Sequence, residues 1–198
     1  MHISEGVLSA PVLISGGALA LAGTAIGLKK IDYEHIAQVG VLSSAFFVAS
    51  LVHVNVGPSS VHLILNGLVG LILGWTAFPA ILVALVLQAV FFQFGGITTL
   101  GVNTVVMALP AVVCYYTYTP LIHKNSTMAM TAAFLCGFTA VLLSALVMAV
   151  SLIFTEENFW EVSWLIVIAH LPLMIIEGII TLFSLMFLKK VHPAMIGL

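Results

Sequence analysis

Seven apolar segments, separated by short polar stretches, dominate this sequence and limit what it can fold into. Each is long enough to cross or nearly cross a bilayer, and they lie at about 10–28, 36–53, 63–78, 80–94, 104–122, 127–153 and 163–188. The third and fourth segments meet at Ala77-Phe78-Pro79, where the proline and the combined length favour two helices joined by a tight turn. We therefore predict an all-α integral membrane protein with seven transmembrane helices, forming a single domain over residues 1–198.

Composition excludes most soluble classes of protein. Apolar residues make up 62% of the chain and charged residues 6%, far from the mixture found in soluble domains. No G-x-x-x-x-G-K phosphate-binding loop is present in the sequence, so we do not expect this chain to bind ATP by that route. Membrane lipid is its expected surrounding, no nucleic acid is expected as a partner, and energy from ATP must be supplied by another protein.

The lysines predict the orientation in the membrane. The chain has no arginine, and all five basic residues follow the first, fifth and seventh segments: Lys29, Lys30, Lys124, Lys189 and Lys190. With seven spans these positions share one face, which the positive-inside rule makes cytoplasmic. The N-terminus is then outside and the C-terminus cytoplasmic. Because no Lys or Arg precedes the first segment, we do not expect it to be a cleaved signal peptide, and Met1 is expected to remain.

The predicted outer face carries the N-terminal pair Met1-His2, together with His53 and His62 in the stretch VHVNVGPSSVHLILNG. A free terminal amine followed by histidine can chelate one metal ion through the amine, the amide nitrogen of His2 and its imidazole. Three in-plane nitrogens plus one imidazole suit square-planar Ni(II) or Cu(II), and His62 is the predicted fourth ligand. The alternative is that these are interfacial histidines whose rings hydrogen-bond to backbone carbonyls.

Three further residues on the outer side are candidates for the surroundings of a metal ion. His53 either orients a ligand, lies on the entry path or is an ordinary interfacial histidine. Gln93 and Asn103 flank the loop GGITTLGVN, and their amides can hydrogen-bond to metal ligands. The glycines of this loop permit close backbone approach, so the loop is either a lid over the metal or a structural turn between the fourth and fifth spans.

Two ionisable residues, His170 and Glu177, lie inside the last predicted span, where such groups are costly and are functional candidates. Their spacing of seven places them on one helical face. One interpretation is a proton or ion relay. The other is that both face the bundle, with Glu177 protonated or hydrogen-bonded and holding the helices in register.

Small residues spaced four apart in the second span, Ala45 and Ala49, allow another helix to approach closely. Packing within the bundle is one explanation for this pair. Contact with a partner membrane protein is the other.

Four stretches of the sequence resemble one family of proteins: the opening MHISEGVLS, GPSSVHLILNGLVGLILG at 57–74, FGGITTLGVNTVVMALP at 94–110 and HLPLMIIEGIIT at 170–181. They are similar to the cobalt and nickel substrate-binding components of energy-coupling factor (ECF) transporters, the CbiM/NikM family. The resemblance implies a metal transport component of a prokaryotic cell membrane and not an enzyme. It also implies that Met1, His2 and His62 bind the metal.

The resemblance implies partners as well. A transmembrane coupling protein and a pair of ABC-type ATPases would supply the energy, with a small accessory membrane protein as a further candidate, and Ala45 to Ala49 would be a contact with the coupling protein. Ni(II) is the expected transported substrate, because the loop reads GPSSVH and not the cysteine-containing GSCSH of the cobalt type. Co(II) is the alternative substrate, and Cu(II) would also satisfy the chemistry.

Three other classes of protein remain alternatives. A free-standing metal carrier would need a polar path across the bilayer, yet the middle of most predicted spans is apolar. A membrane enzyme would need a catalytic cluster, and His170 and Glu177 are the ionisable residues available in mid-span. A vitamin-binding substrate component would share the architecture but has no use for Met1.

Overall fold

The computed structural model describes residues 2–56, 59–156 and 159–197, and for residues 53–56 and 59–61 it describes the backbone alone. The chain is mostly helical, as predicted. The described α-helices, in chain order, are α1 Ala10–Lys29, α2 Ile36–Ala49, α3 Asn66–Leu73, α4 Ala77–Phe92, α5 Leu100–Ile122, α6 Ser126–Ile153, α7 Trp160–Ala169 and α8 Leu171–Val191. Short 3₁₀ turns lie at Tyr33–His35, Gly74–Thr76 and Pro193–Ile196.

A short β-hairpin, which the all-α prediction did not include, follows α2. Strand β1, His53–Val56, pairs antiparallel with β2, Ser59–His62, and the register places His53 opposite His62. The predicted second span, 36–53, is therefore too long, since its helix ends at Ala49. The hairpin brings His62 to the entrance of α3.

Five helical segments in the described ranges are long and apolar enough to cross a membrane: Ala10–Lys29, Asn66–Phe92, Leu100–Ile122, Ser126–Ile153 and Trp160–Val191. Helix α2, with 14 residues, is shorter than these. The count of seven spans and the side of each terminus therefore stay predictions.

The third and fourth predicted spans are separated by a backbone break at Gly74, whose φ of 54° and ψ of −123° are incompatible with a continuous helix. On one side of the break α3 runs beside α5, and Asn66 Nδ2 of α3 donates to the Met107 carbonyl of α5 (3.1 Å). The sequence placed the turn at Ala77-Phe78-Pro79. Pro79 instead lies in the first turn of α4, where the missing N–H breaks no helical hydrogen bond.

Buried residues of α2, α3, α4, α5, α6 and α8 form the interior, where glycine lets neighbouring helices approach closely. A Cβ built on Gly70 of α3 would lie 2.3 Å from the carbonyl oxygen of Ala111 in α5. A Cβ on Gly137 of α6 would lie 2.4 Å from the carbonyl oxygen of Glu177 in α8. Close approach between backbones therefore holds the bundle together, as is usual for helices in membranes.

We expect Gly70→Ala to destabilise the protein by about 1–3 kcal/mol, because the added methyl group must push α3 away from α5. Thermal unfolding in detergent measures the effect. Gly17→Ala in α1 is the matched control, since its Cβ would meet nothing within 4 Å. Equal melting temperatures for the two variants would contradict this account of the α3 and α5 contact.

Candidate metal site

The N-terminal segment folds back into the protein and is held by Asn103 of α5. The backbone N–H of Ile3 donates to Asn103 Oδ1 (2.9 Å), and Asn103 Nδ2 donates to the Ile3 carbonyl (3.1 Å). Ile3 is 2% exposed, so this pair of bonds lies inside the protein. The sequence predicts Asn103 as a residue that orients ligands, and in the structure it hydrogen-bonds to the backbone of Ile3, the residue next to His2.

The glycine loop between α4 and α5 also holds the N-terminal segment, through Glu5. The Glu5 backbone N–H donates to the Gly95 carbonyl (3.2 Å), and the Glu5 carboxylate accepts from the Thr98 backbone N–H (3.1 Å). Gly96 has a φ of 140°, and a Cβ there would lie 2.0 Å from Glu5 Cγ. The glycines predicted to form a lid or a turn therefore pack against the N-terminal segment.

Two predicted ligands, His2 and His62, come together although they are 60 residues apart in the sequence. His62 Nε2 lies 3.0 Å from His2 Nδ1, and the two ring centroids are 4.7 Å apart. Phe94 closes one side, with its ring 5.7 Å from that of His2 and stacked at 6.5 Å on that of His62. The pair is thus largely enclosed, and His62 is 7% exposed.

The outer nitrogen of each ring is held by an oxygen atom. His2 Nε2 lies 2.8 Å from Gln88 Oε1, and His62 Nδ1 lies 2.8 Å from the Leu63 carbonyl oxygen. A carbonyl oxygen can only accept, so each of these nitrogens carries the ring proton. When both rings are neutral, each turns an unprotonated nitrogen towards the other.

Two unprotonated nitrogens at 3.0 Å repel each other unless a cation binds to both of them. The cation is either a proton shared by the rings or a metal ion. The interfacial alternative, in which the rings hydrogen-bond to backbone carbonyls, describes one side of His62 only. The geometry of the pair is therefore suited to cation binding.

Neutral groups supply the donors of this site. Within the described ranges no group of three or more His, Cys, Asp and Glu residues is arranged to hold a metal ion. Met1, whose amine is a predicted ligand, lies outside the described residues, and of His53 the structure describes the backbone alone. The metal donors that the structure describes are therefore the two imidazoles.

The amide that reaches the histidines is that of Gln88, which the sequence analysis did not select. Gln93, which it did select, is exposed and ends α4 with a φ of 57°. The clue to Gln88 was its position, a polar residue within the apolar run 80–94. Such a residue is costly in a membrane interior unless it has a partner.

Glu177 supports the other ligand through the backbone. Its carboxylate is fully buried and accepts hydrogen bonds from the backbone N–H groups of Ile64 and Leu65, where the chain turns from β2 into α3. Leu65 has a φ of 57°, so α3 begins from a left-handed residue. These hydrogen bonds are the kind that the structural interpretation of Glu177 expects, and the relay stays a prediction.

His170 lies at the junction of α7 and α8. Its Nδ1 lies 2.7 Å from the Ile166 carbonyl oxygen, and the residue is 7% exposed.

Ala45 and Ala49, the predicted partner contact, differ in their surroundings, because Ala45 is exposed and Ala49 is 6% exposed. Of this pair, Ala45 is therefore on the surface and Ala49 is in the interior.

Comparison with known proteins shows that this chain is similar to metal transport proteins. The family described as the cobalt uptake substrate-specific transmembrane region matches residues 2–195. A protein of Haemophilus influenzae named for metal transport is 41% identical and covers 98% of this chain and 95% of its own length. The cobalt transport protein CbiM of Sorangium cellulosum is 30% identical over 98% of this chain and 93% of its own.

Similarity extends to a nickel protein and to solved structures. The fused nickel transport protein NikMN of Rhodobacter capsulatus is 33% identical over 55% of this chain and 33% of its own length. A crystal structure described as a truncated transition metal transporter superposes with a TM-score of 0.78 at 25% identity, covering 97% of this chain and 100% of that one.

We expect Asn103→Ala to release the N-terminal segment, because both backbone hydrogen bonds of Ile3 are lost. Amide hydrogen exchange of residues 3–5 should become faster, and nickel affinity should fall about tenfold or more, as when a group that orients a metal ligand is removed. Asn125→Ala, which removes a cap at the start of α6, is the control and should change neither. Unaltered exchange in Asn103→Ala would refute this role.

Proposed function

The chain belongs to the family of cobalt uptake substrate-specific transmembrane proteins, and from that premise we propose that it captures Ni(II) for an ECF-type uptake transporter. It is a component of a metal transporter and not an enzyme. The observation that carries the proposal is the distance of 3.0 Å between His2 Nδ1 and His62 Nε2.

That distance fits two neighbouring ligands of one metal ion. With metal–nitrogen bonds of about 2 Å, neighbouring nitrogens of a square-planar complex are separated by about 2.8 Å. His2 Nδ1 is also the ring nitrogen that closes a six-membered chelate with the amide nitrogen of its own residue. The proposed ligand set is the amine of Met1, the amide nitrogen and Nδ1 of His2, and Nε2 of His62.

Four nitrogen donors in one plane support nickel as the substrate. Strong in-plane nitrogens favour low-spin Ni(II), whereas Co(II) accepts other geometries more readily. Co(II) is the second candidate, because the family description and the CbiM relative both name cobalt. Cu(II) satisfies the same donors, so its exclusion in the cell would depend on metal availability.

Energy would come from partners. The proposed complex contains a transmembrane coupling protein and ABC-type ATPases, with a small accessory membrane protein as a further candidate, and the chain contributes metal capture. The exposed position of Ala45 on α2 supports it as a contact with the coupling protein, whereas the buried Ala49 supports packing within the bundle. Reconstituted protein without partners should therefore show no metal flux, which a free-standing carrier would show.

We expect the native protein to bind about one Ni(II), and His2→Ala, His62→Ala and a variant with one extra residue before Met1 to lose it. The two alanine variants each remove a ring nitrogen, and the extra residue moves the amine away from the chelate. Metal content and the visible spectrum of a square-planar complex are the measurements. Intact mass shows whether Met1 is the terminal residue of the purified protein.

The control for these variants is His35→Ala, which alters an exposed histidine outside the site and should retain nickel. Full binding by the variant with the extended terminus would refute the chelate and leave His62 with other ligands. Tighter binding of Co(II) than Ni(II) in direct competition would favour the cobalt assignment.

Nickel affinity should fall as the pH is lowered, because protons compete for the nitrogen atoms that bind the metal. The protonated imidazole forms below the ordinary histidine pKa of about 6.5, and its nitrogen can no longer coordinate. Displacement of at least one proton predicts a loss of about tenfold per pH unit in that range. Calorimetric titration at several pH values measures it, and a constant affinity between pH 7 and pH 5 would contradict it.

A further inference from the structure

Gln88 is a fully buried amide in the C-terminal half of the apolar helix α4. Its Oε1 accepts a hydrogen bond from His2 Nε2 at 2.8 Å. Its Nε2 is also buried and has no hydrogen-bond partner among the residues that the structure describes. Burying an unpaired donor is unfavourable, so the packing of α4 alone would be better served by methionine, which has nearly the same shape.

The oxygen of Gln88 sets the tautomer and the orientation of the His2 ring. It holds the ring proton on Nε2, which leaves Nδ1 unprotonated, and it fixes the ring so that Nδ1 faces His62 Nε2. The backbone does not provide this control, because Asn103 holds Ile3 and leaves the rotation of the His2 side chain undetermined. Metal-binding histidines generally rely on such an acceptor for their orientation.

The charge of the acceptor is also relevant to transport. Ni(II) bound by one deprotonated amide and three neutral nitrogens has a net charge of +1, and the neutral amide of Gln88 leaves that charge unchanged. A carboxylate in its place would form a stronger, charge-assisted hydrogen bond to His2 and would attract the bound cation. A transport component must release its metal as well as bind it.

We propose that Gln88 is the positioning residue of the metal site: its amide oxygen aligns His2 for coordination while its neutrality keeps the bound metal exchangeable. This role rests on the proposed function, because it requires His2 to be a nickel ligand. It adds a residue whose side-chain charge sets how fast the bound metal is released.

The test uses the full-length protein with its native terminus and three substitutions. Gln88→Met removes the acceptor and keeps the shape, and it should weaken Ni(II) binding by about 10- to 100-fold and shift the visible absorption band. Gln88→Glu keeps an oxygen acceptor and adds charge, so it should retain binding while Ni(II) dissociation slows about tenfold. Gln38→Met is the matched control, since Gln38 donates instead to the Met195 carbonyl; it should behave as the parent.

Rescue of the affinity and spectrum by glutamate but not by methionine is the result that a purely structural role would not produce. Parental affinity and spectrum in Gln88→Met would overturn the proposal, as would equal loss in Gln88→Met and Gln88→Glu. His2→Ala separates the two hypotheses. Nickel binding that survives His2→Ala overturns the proposed function together with the role of Gln88, whereas binding lost in His2→Ala but kept in Gln88→Met overturns the role of Gln88 alone.

Discussion

Irregular backbone inside a membrane protein must find its hydrogen-bond partners within the protein, and the metal site depends on this requirement. The two segments that carry His2 and His62 are both irregular. Asn103 of α5 pairs with both backbone groups of Ile3, and Glu177 of α8 accepts from the chain just after His62. One buried polar side chain on each of two helices therefore positions one proposed ligand each.

The close approach of the helices makes these contacts possible. Gly137 of α6 lies against the backbone of Glu177, where any Cβ would be only 2.4 Å from a carbonyl oxygen. This lets α8 lie near enough to α3 for the carboxylate to reach Ile64 and Leu65. The small residues in the interior thus support the proposed metal site as well as stability, because a wider bundle would move Glu177 away from the start of α3.

Helix positions followed from the apolar runs, but the breaks between helices did not. Gly74 ends α3, whereas the sequence favoured Pro79 as the turn, because a proline in the first turn of a helix is as acceptable as one that ends a helix. The hairpin was missed because the residues before it continue the apolar run of α2. The sequence indicated Gln93 and not Gln88, because position in the chain does not show which side chain faces the interior.

The sequence by itself determined the membrane class and the mostly helical fold, and it predicted the pair His2 and His62, because hydropathy and the chemistry of a terminal Met-His are local properties. Only the tertiary structure decided that these two rings meet, that Gln88 and the Leu63 carbonyl hold their outer nitrogens, and that Glu177 anchors the backbone beyond His62. The physical reason is that a cation between two imidazoles requires both rings to be aligned to within a fraction of an ångström. That alignment is set by contacts between residues that are distant in the chain.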